Sequence, residues 1–430
     1  SLISITLFCV PFLFFQKKIV LKNVIFTLFF IIIFLVNYSY GIFTINSSNY
    51  KFDDEIKVCI RCVMDSSANG ITFSKDGTCV YCQNYDKNIE PYLKTNLKNS
   101  KQWFSRIESQ IHKERNMHEY DCLIGLSGGV DSSYLAYFAK KYLKLNTLIL
   151  HVDTGWNNKI AVSNIENIVE KLDLDLQTIV IDWNEMKDLT LAFLRSQVPT
   201  IDTVQDHAIW AGMYNFAREN GIKNIFTGGN LYTESVREPL MWAYHATDLR
   251  QIRDIHKKFG KMKLEKFPLI DIFTYQLFYK YYYKIKIFQP LNHINYNKRK
   301  AIEILSSELG WKDYGGKHHE SNFTKFIEGY WMPSKFGIDK RKAHLSSLIH
   351  TNQITRIEAN NILNSKPYNI DEIDKDFKYV ASKLDITSDE LKDIYSKTNK
   401  FHFDYSSKDL LLKAAVFIKR KLGSEKRIFI

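Results

Sequence analysis

A chain of 430 residues is long enough for two or three domains with a sizeable core. Its 59 lysines and arginines against 47 acids leave a net charge of +12, which points to an anionic partner: a nucleotide, a sugar diphosphate, RNA or a membrane surface. The basic residues are scattered, with no block of the kind that makes a nucleic-acid-binding arm. The first fifty residues stand apart. Residues 24 to 36 form an apolar run, extendable to Phe43, that is about long enough to span a bilayer. Lys17, Lys18 and Lys22 precede it and would place the remainder outside the cytoplasm. That orientation is unusual for a chain with so many scattered charges. The segment is therefore an anchor of unusual orientation, an interfacial hairpin, or upstream sequence joined to the gene, and the last is the expectation. The remainder is expected to be cytoplasmic, and membrane-associated if the leader is genuine.

Residues 51–100 hold two C-x-x-C pairs, Cys59/Cys62 and Cys79/Cys82. Each pair sets two thiolates on one knuckle, and two knuckles complete a tetrahedron for structural Zn²⁺. Gly70 and Gly77 sit where the intervening ribbon must turn, and Ile71–Ser74 reads as a short strand. A disulfide framework would need an oxidising compartment, which nothing downstream suggests.

Residues 101–300 alternate strand and helix patterns, the mark of a parallel α/β sheet covered on both faces. Strands are expected at 122–126, 147–152, 176–181 and 224–227, with helices at 134–142, 161–172 and 204–220. Cys122 lies within the first strand and reads as buried. After this strand comes Ser127-Gly-Gly-Val-Asp-Ser-Ser133. A glycine turn opening a helix aims backbone N–H groups at a phosphate. Gly128 and Gly129 permit the turn, and Ser127, Ser132 and Ser133 add hydroxyls. Asp131 belongs beside a phosphate only if Mg²⁺ or an ammonium group lies between them. The lysine of the Walker-type loop is missing. Two further strand ends carry suitable chemistry: Asp153, for ribose or Mg²⁺, and Gly228-Gly-Asn-Leu-Tyr-Thr-Glu234, where Gly228 and Gly229 permit close approach and Asn230 and Glu234 reach nucleotide or metal. Asp202, Asp206 and His207 begin a helix and read first as helix-start and core residues.

Residues 301–430 read as helical. Gly310–Phe326 concentrates glycines, aromatics, Lys317, His318, His319 and Glu320. Lys317, Lys335, Lys340 and Arg341 suggest an anion cradle, and His318, His319 and Glu320 acid–base function. Residues 272–288 interleave aromatics with lysines and read as an amphipathic packed element, with membrane contact or base stacking as the rival. Thr387 to Glu390 fits a capping box.

Taken together, Cys59-Ile-Arg-Cys-Val-Met-Asp, the second C-x-x-C, Ser127–Ser133, Gly228–Glu234 and Tyr314-Gly-Gly-Lys-His-His-Glu-Ser321 resemble the N-acetyl sugar amidotransferases of surface-polysaccharide and flagellin-sugar biosynthesis, within the N-type ATP pyrophosphatase (PP-loop) superfamily. The resemblance runs from about Lys57 to the C-terminus. It implies ATP, Mg²⁺ and zinc as cofactors and a nucleotide-linked N-acetyl sugar as substrate. It also implies adenylation of the acetamido oxygen and its replacement by ammonia. Ammonia would come from a glutaminase subunit through a barrel-type companion, since no glutaminase site is evident in this chain. Asp131, Lys317, His318 and Glu320 are the expected catalytic set. Nucleic acid is not expected as a partner, although a tRNA thiolase of the same superfamily is the first rival; a non-catalytic nucleotide-binding membrane scaffold is the second.

Overall fold

The computed structural model describes residues 56–115, 119–239 and 241–412. Two compact units divide the chain, one made of Ser1–Asn46 with Lys408–Lys426 and one of Ser47–Ser407 with Arg427–Ile430. The first lies almost wholly outside the described residues, and with it the apolar run at 24–43. Among the described residues, no helix is long and apolar enough to cross a membrane. All elements named below belong to the second unit.

Five parallel strands form one sheet: β1 (Cys122–Gly125), β2 (Thr147–Asp153), β3 (Asp175–Val180), β4 (Asn224–Phe226) and β5 (Lys286–Phe288), in the order β3-β2-β1-β4-β5. Leu123 faces Leu148 on one side and Ile225 on the other, and Ile225 faces Ile287. The period of two along each strand sorts side chains into two cores. Leu123, Leu148, Leu150 and Ile225 enter one, with the helices Trp183–Ser196 and Thr203–Glu219. Cys122, Ile124, Ile149 and Phe226 enter the other, beneath the helices Ser100–Arg115, Val130–Lys141, Lys159–Leu172 and Lys298–Leu309. Burying each large aliphatic side chain contributes about 1.5–3 kcal/mol. Continuous apolar strands between two helical layers are therefore the stable solution for these residues.

The expected parallel α/β fold is what the chain adopts, with a four-cysteine cluster before it and helices after it. β5 and the helix Trp183–Ser196 go beyond the sequence reading. The 272–288 segment is a π-helical turn, Thr274–Tyr282, that buries Tyr279 and feeds β5. In the cysteine segment the expected strand shrinks to single bridges, Val58 with Asp65 and Phe73 with Cys79. Gly70 and Gly77 both take φ +83° at their turns. Nor is this segment separate from the rest: its cysteines share a core with Trp331, Phe336 and Phe377 of the C-terminal helices.

Candidate functional site

The chain leaves β1 toward β2 on one side and returns to β4 on the other, which makes the carboxyl ends of β1 and β4 the switch point where ligands bind in such sheets. After β1, Gly128 turns at φ +81°, and Gly129 is the N-cap of Val130–Lys141. Gly129 N–H donates to Ser127 Oγ at 3.3 Å, and Ser132 Oγ donates to the Gly129 carbonyl at 3.2 Å. A Cβ on Gly128 would stand 2.4 Å from the Ala161 carbonyl oxygen. One on Gly228 would stand 2.8 Å from the Ser132 nitrogen, so the β4 loop lies directly against the start of the helix. Trp311 Nε1 donates to the Gly128 carbonyl at 2.9 Å and ties the downstream segment to this turn.

That segment lies across the mouth of the sheet. Ser321 bridges to Asn157, and Asn158 N–H donates to the Glu320 carbonyl at 2.7 Å. A cavity of about 300 Å³ results, lined by Ser127, Gly129, Asp131 and Ser132 from one loop, Gly228 and Glu234 from the other, and Lys317, His318 and Glu320 from the covering segment. Asp131 accepts from Tyr296 OH at 2.5 Å and from Thr233 Oγ1 at 3.4 Å. Burial pushes its carboxyl above the ordinary range, with Lys317 pulling the other way. Lys317 pairs with Glu234 at 2.8 Å. Burial opposes charge on Glu234, but the Lys317 ammonium holds its carboxyl below the usual value. His318, in the left-handed region at φ +63°, sits 3.8 Å from Glu320. Burial opposes its charge, yet the Glu320 and Glu328 carboxylates lift it to about 9. The Oε2 of Glu320 is buried without a hydrogen-bond partner.

A second, larger cavity of about 840 Å³ adjoins the first. The two share Glu234, Lys298, Gly315, Gly316, Lys317 and His318. Glu238, Glu328, Lys340, Arg341 and His344 line its far side. Lys340 bridges Glu328 at 2.6 Å and Glu238 at 3.0 Å. Burial, with the Lys317 and Lys298 charges, pushes His344 well below the ordinary histidine value, and His319 is also lowered, chiefly by burial.

Several expected residues take other roles. Lys335 is no part of a cradle: its ammonium donates to the carbonyls of Tyr395 and Lys397. Asn230 is 3% exposed and shapes its own loop, its Oδ1 accepting from the N–H groups of Tyr232 and Thr233. Asp153 closes the turn after β2 by accepting from Gly155 N–H at 2.7 Å and Asn157 Nδ2 at 2.8 Å, and lines neither cavity. Ser133 is fully buried behind the loop, and Gly128 shapes the turn without lining it. Lys340 and Arg341 reach the larger cavity only; Arg341 is held by Asp339 and the carbonyls of Ile362 and Ser365. His207 is a core histidine: Ile270 N–H donates to Nε2, which leaves Nδ1–H for the Ala246 carbonyl. Tyr296, Lys298, Tyr314 and His344 went unread as site residues. They belong to no local motif, and only the Tyr314-Gly-Gly context hinted at one of them.

The four cysteines are fully buried, their sulfurs all within 4.8 Å of one another, with Sγ–Sγ separations of 3.6, 3.7 and 3.8 Å. Four sulfurs at ~2.3 Å from a tetrahedral zinc lie about 3.8 Å apart, so the residues fit that ion. Backbone N–H groups of Arg61 and Cys79 point at Cys59 Sγ, at 3.4 and 3.2 Å, as thiolates require. The phosphate cavity fits a triphosphate with Mg²⁺ equally well. Its floor is closed to any Cβ at Gly228, and Asp131 and Glu234 provide hard oxygens facing Lys298 and Lys317.

Residues 320–419 match the family described as "LPS biosynthesis protein WbpG-like, C-terminal domain", and residues 101–207 match NAD synthase. A curated relative, the glutamine-hydrolysing GMP synthase of Thermosipho africanus, is 31% identical over 124 residues, covering 28% of this chain and 23% of the relative. The chain thus spans about a quarter of the length of that relative. Among solved structures, the NH3-dependent NAD synthetase of Campylobacter jejuni is 14% identical, covering 70% of this chain and 98% of its own, with a TM-score of 0.26. The U34-tRNA thiolase NcsA of Methanococcus maripaludis is 17% identical, covering 61% and 81%, with a TM-score of 0.30. Residues 101–207 thus carry an NAD synthase (PP-loop) domain and residues 320–419 a WbpG-like LPS biosynthesis C-terminal domain, consistent with the family the motifs resemble.

Proposed function

We propose that this chain is an AMP- and pyrophosphate-forming amidotransferase that turns the acetamido group of a nucleotide-linked sugar into an acetamidino group. The observation that carries this reading is the shared wall of the two cavities. A phosphate bound at Ser127–Ser132 would be separated from the larger pocket by Glu234, Lys298, Gly315, Gly316, Lys317 and His318. An acyl oxygen entering from that pocket would meet the α-phosphate there.

The chemistry requires it. An amide oxygen does not leave, whereas the oxygen of an adenylate does. The loop N–H groups and serine hydroxyls would cradle the β- and γ-phosphates, and Lys317 and Lys298 would stabilise charge developing on the departing pyrophosphate. Asp131, with Glu234, would hold Mg²⁺, which when bound neutralises phosphate charge. His318 keeps its proton at neutral pH and serves as a charge stabiliser or donor. His319, kept neutral chiefly by burial, would accept the proton that the incoming amine sheds; His344, pushed much lower and held between the Thr233 carbonyl and the Lys298 ammonium, is the poorer base. The covering segment 310–321 would limit entry of water, which would hydrolyse the adenylate back to the amide. Ammonia would be delivered by a glutaminase and its barrel-type companion. A thiolase reading finds little support in Cys122, whose thiol is fully buried and pushed up to about 12.

The test is incubation with ATP, Mg²⁺, ammonium and a uridine-diphosphate N-acetyl sugar. Expected products are AMP, pyrophosphate and a sugar nucleotide lighter by the exchange of O for NH. AMP release with tRNA alone, or ATP binding with no turnover on any sugar nucleotide, would defeat the reading.

A further inference from the structure

The helix Arg341–His350 stands between the cysteine cluster and the β4 loop and touches both. Toward the cysteines, Ser346 Oγ accepts from Val63 N–H at 3.3 Å, and Lys342 pairs with Asp65. Toward the loop, Ser347 Oγ accepts from Val236 N–H at 2.9 Å, and Thr351, just beyond the helix, donates to the Tyr232 carbonyl at 2.8 Å. Ser346 and Ser347 are both fully buried, and their ~100° separation around the helix sends neighbouring hydroxyls to opposite partners.

One residue joins the two sides through a single ring. His350 Nε2 lies 3.2 Å from Cys82 Sγ, and its Nδ1 lies 3.3 Å from Ser235 Oγ. With a metal bound, the Cys82 thiolate would have no proton to give, so Nε2 would donate to it. Nδ1 is then the acceptor for the Ser235 hydroxyl. One tautomer satisfies both bonds. The ring is held flat by stacking on Tyr85, with centroids 4.7 Å apart. Ser235 directly follows Glu234, the partner of Lys317 in the shared wall.

We infer that His350 is a positioning residue that couples the four-cysteine centre to the β4 loop, so that metal occupancy and nucleotide binding favour one another. The inference rests on the proposed nucleotide site. Nothing about the cysteine centre alone would require this link, because its four thiolates already complete a tetrahedron. Coupling between two sites is reciprocal: if the metal orders the loop for nucleotide, nucleotide must retain the metal by the same factor.

The test measures zinc release from the full chain into a chromogenic chelator, with and without a non-hydrolysable ATP analogue. In the wild type the analogue should slow release at least about fivefold. His350→Phe keeps the stacking ring and removes both hydrogen bonds. It should still load one zinc but release it about tenfold faster, as loss of a bond to a ligand does. The analogue should slow that release less than about twofold, because the link through His350 carries the coupling. Ser235→Ala should leave unassisted release near the wild-type rate while losing the analogue's effect; it also serves if the histidine variant does not fold. Equal protection of wild type and variants, or protection of neither although calorimetry shows the analogue bound, overturns the coupling. No binding of the analogue to wild type by calorimetry would instead remove the nucleotide site, and the inference with it.

Discussion

Replacing Gly128 by alanine is the sharpest perturbation of the proposed phosphate loop. The residue takes φ +81°, where an L side chain costs roughly 1–2 kcal/mol. The new Cβ would also lie 2.4 Å from the Ala161 carbonyl oxygen, against an ordinary carbon–oxygen contact of about 3.3 Å. The loop must therefore move off the helix Lys159–Leu172 by roughly 1 Å. That shift pulls the Gly128 carbonyl from Trp311 Nε1, and an unpaired buried donor costs about 1–3 kcal/mol. The sum is about 2–5 kcal/mol. Gly337→Ala is the matched control: its φ is +68°, and no atom lies within 4 Å of its Cβ position, so it should lose only the backbone part. Thermal denaturation of the two variants should differ accordingly. Pyrophosphate release from ATP should fall roughly 100-fold in Gly128→Ala, since a shift of ~1 Å in a positioning loop is enough for that. A Gly128→Ala protein with full pyrophosphate release and no more instability than the control would refute the assignment of this turn.

Asp131→Ala should abolish pyrophosphate formation, by at least ~100-fold, with the fold intact by circular dichroism; a fully active variant would remove the carboxylate from the mechanism. Cys62→Ser should lose its zinc and several kcal/mol of stability, read by metal analysis and melting; wild-type protein isolated without zinc would dispose of the site. The pH dependence follows from His318. Its folded value of about 9 stands above the ordinary 6.5, so the stabilisation it provides is complete below about pH 6.5 and lost as pH rises through about 9. His318→Gln should flatten the melting temperature over that window, and an unchanged slope would show that the histidine does not hold its proton.

What could be read in the sequence was what depends on neighbours along the chain. The turn at Ser127–Ser133 declared itself because strand, glycines and helix start are consecutive, and the cysteines because knuckle spacing is local. Lys335 misled because a charge in sequence has no direction; in space its ammonium is consumed by the carbonyls of Tyr395 and Lys397. Asn230 misled because an asparagine after a strand serves equally well to cap its own turn. Tyr296, the shortest partner of Asp131, lies 165 residues downstream and carries no motif. β5 is three residues amid tyrosines and lysines, a strand only because β4 offers its edge. At the C-terminal end, Thr387 caps its helix through Glu390 N–H as its spacing suggests, while the reciprocal box forms at Thr355 and Glu358.

Arg356 closes over the cysteine knuckles, its guanidinium donating to the carbonyls of Cys62 and Cys59 from 294 and 297 residues away. On a ribosome adding ~5–20 residues per second, that latch arrives roughly 15–60 s after the thiols have emerged. For that interval the knuckle carbonyls lack their partner, and a bound zinc alone would hold the four sulfurs together. Cells short of zinc, or under oxidative stress, should therefore lose this protein during synthesis, before any mature copy is damaged.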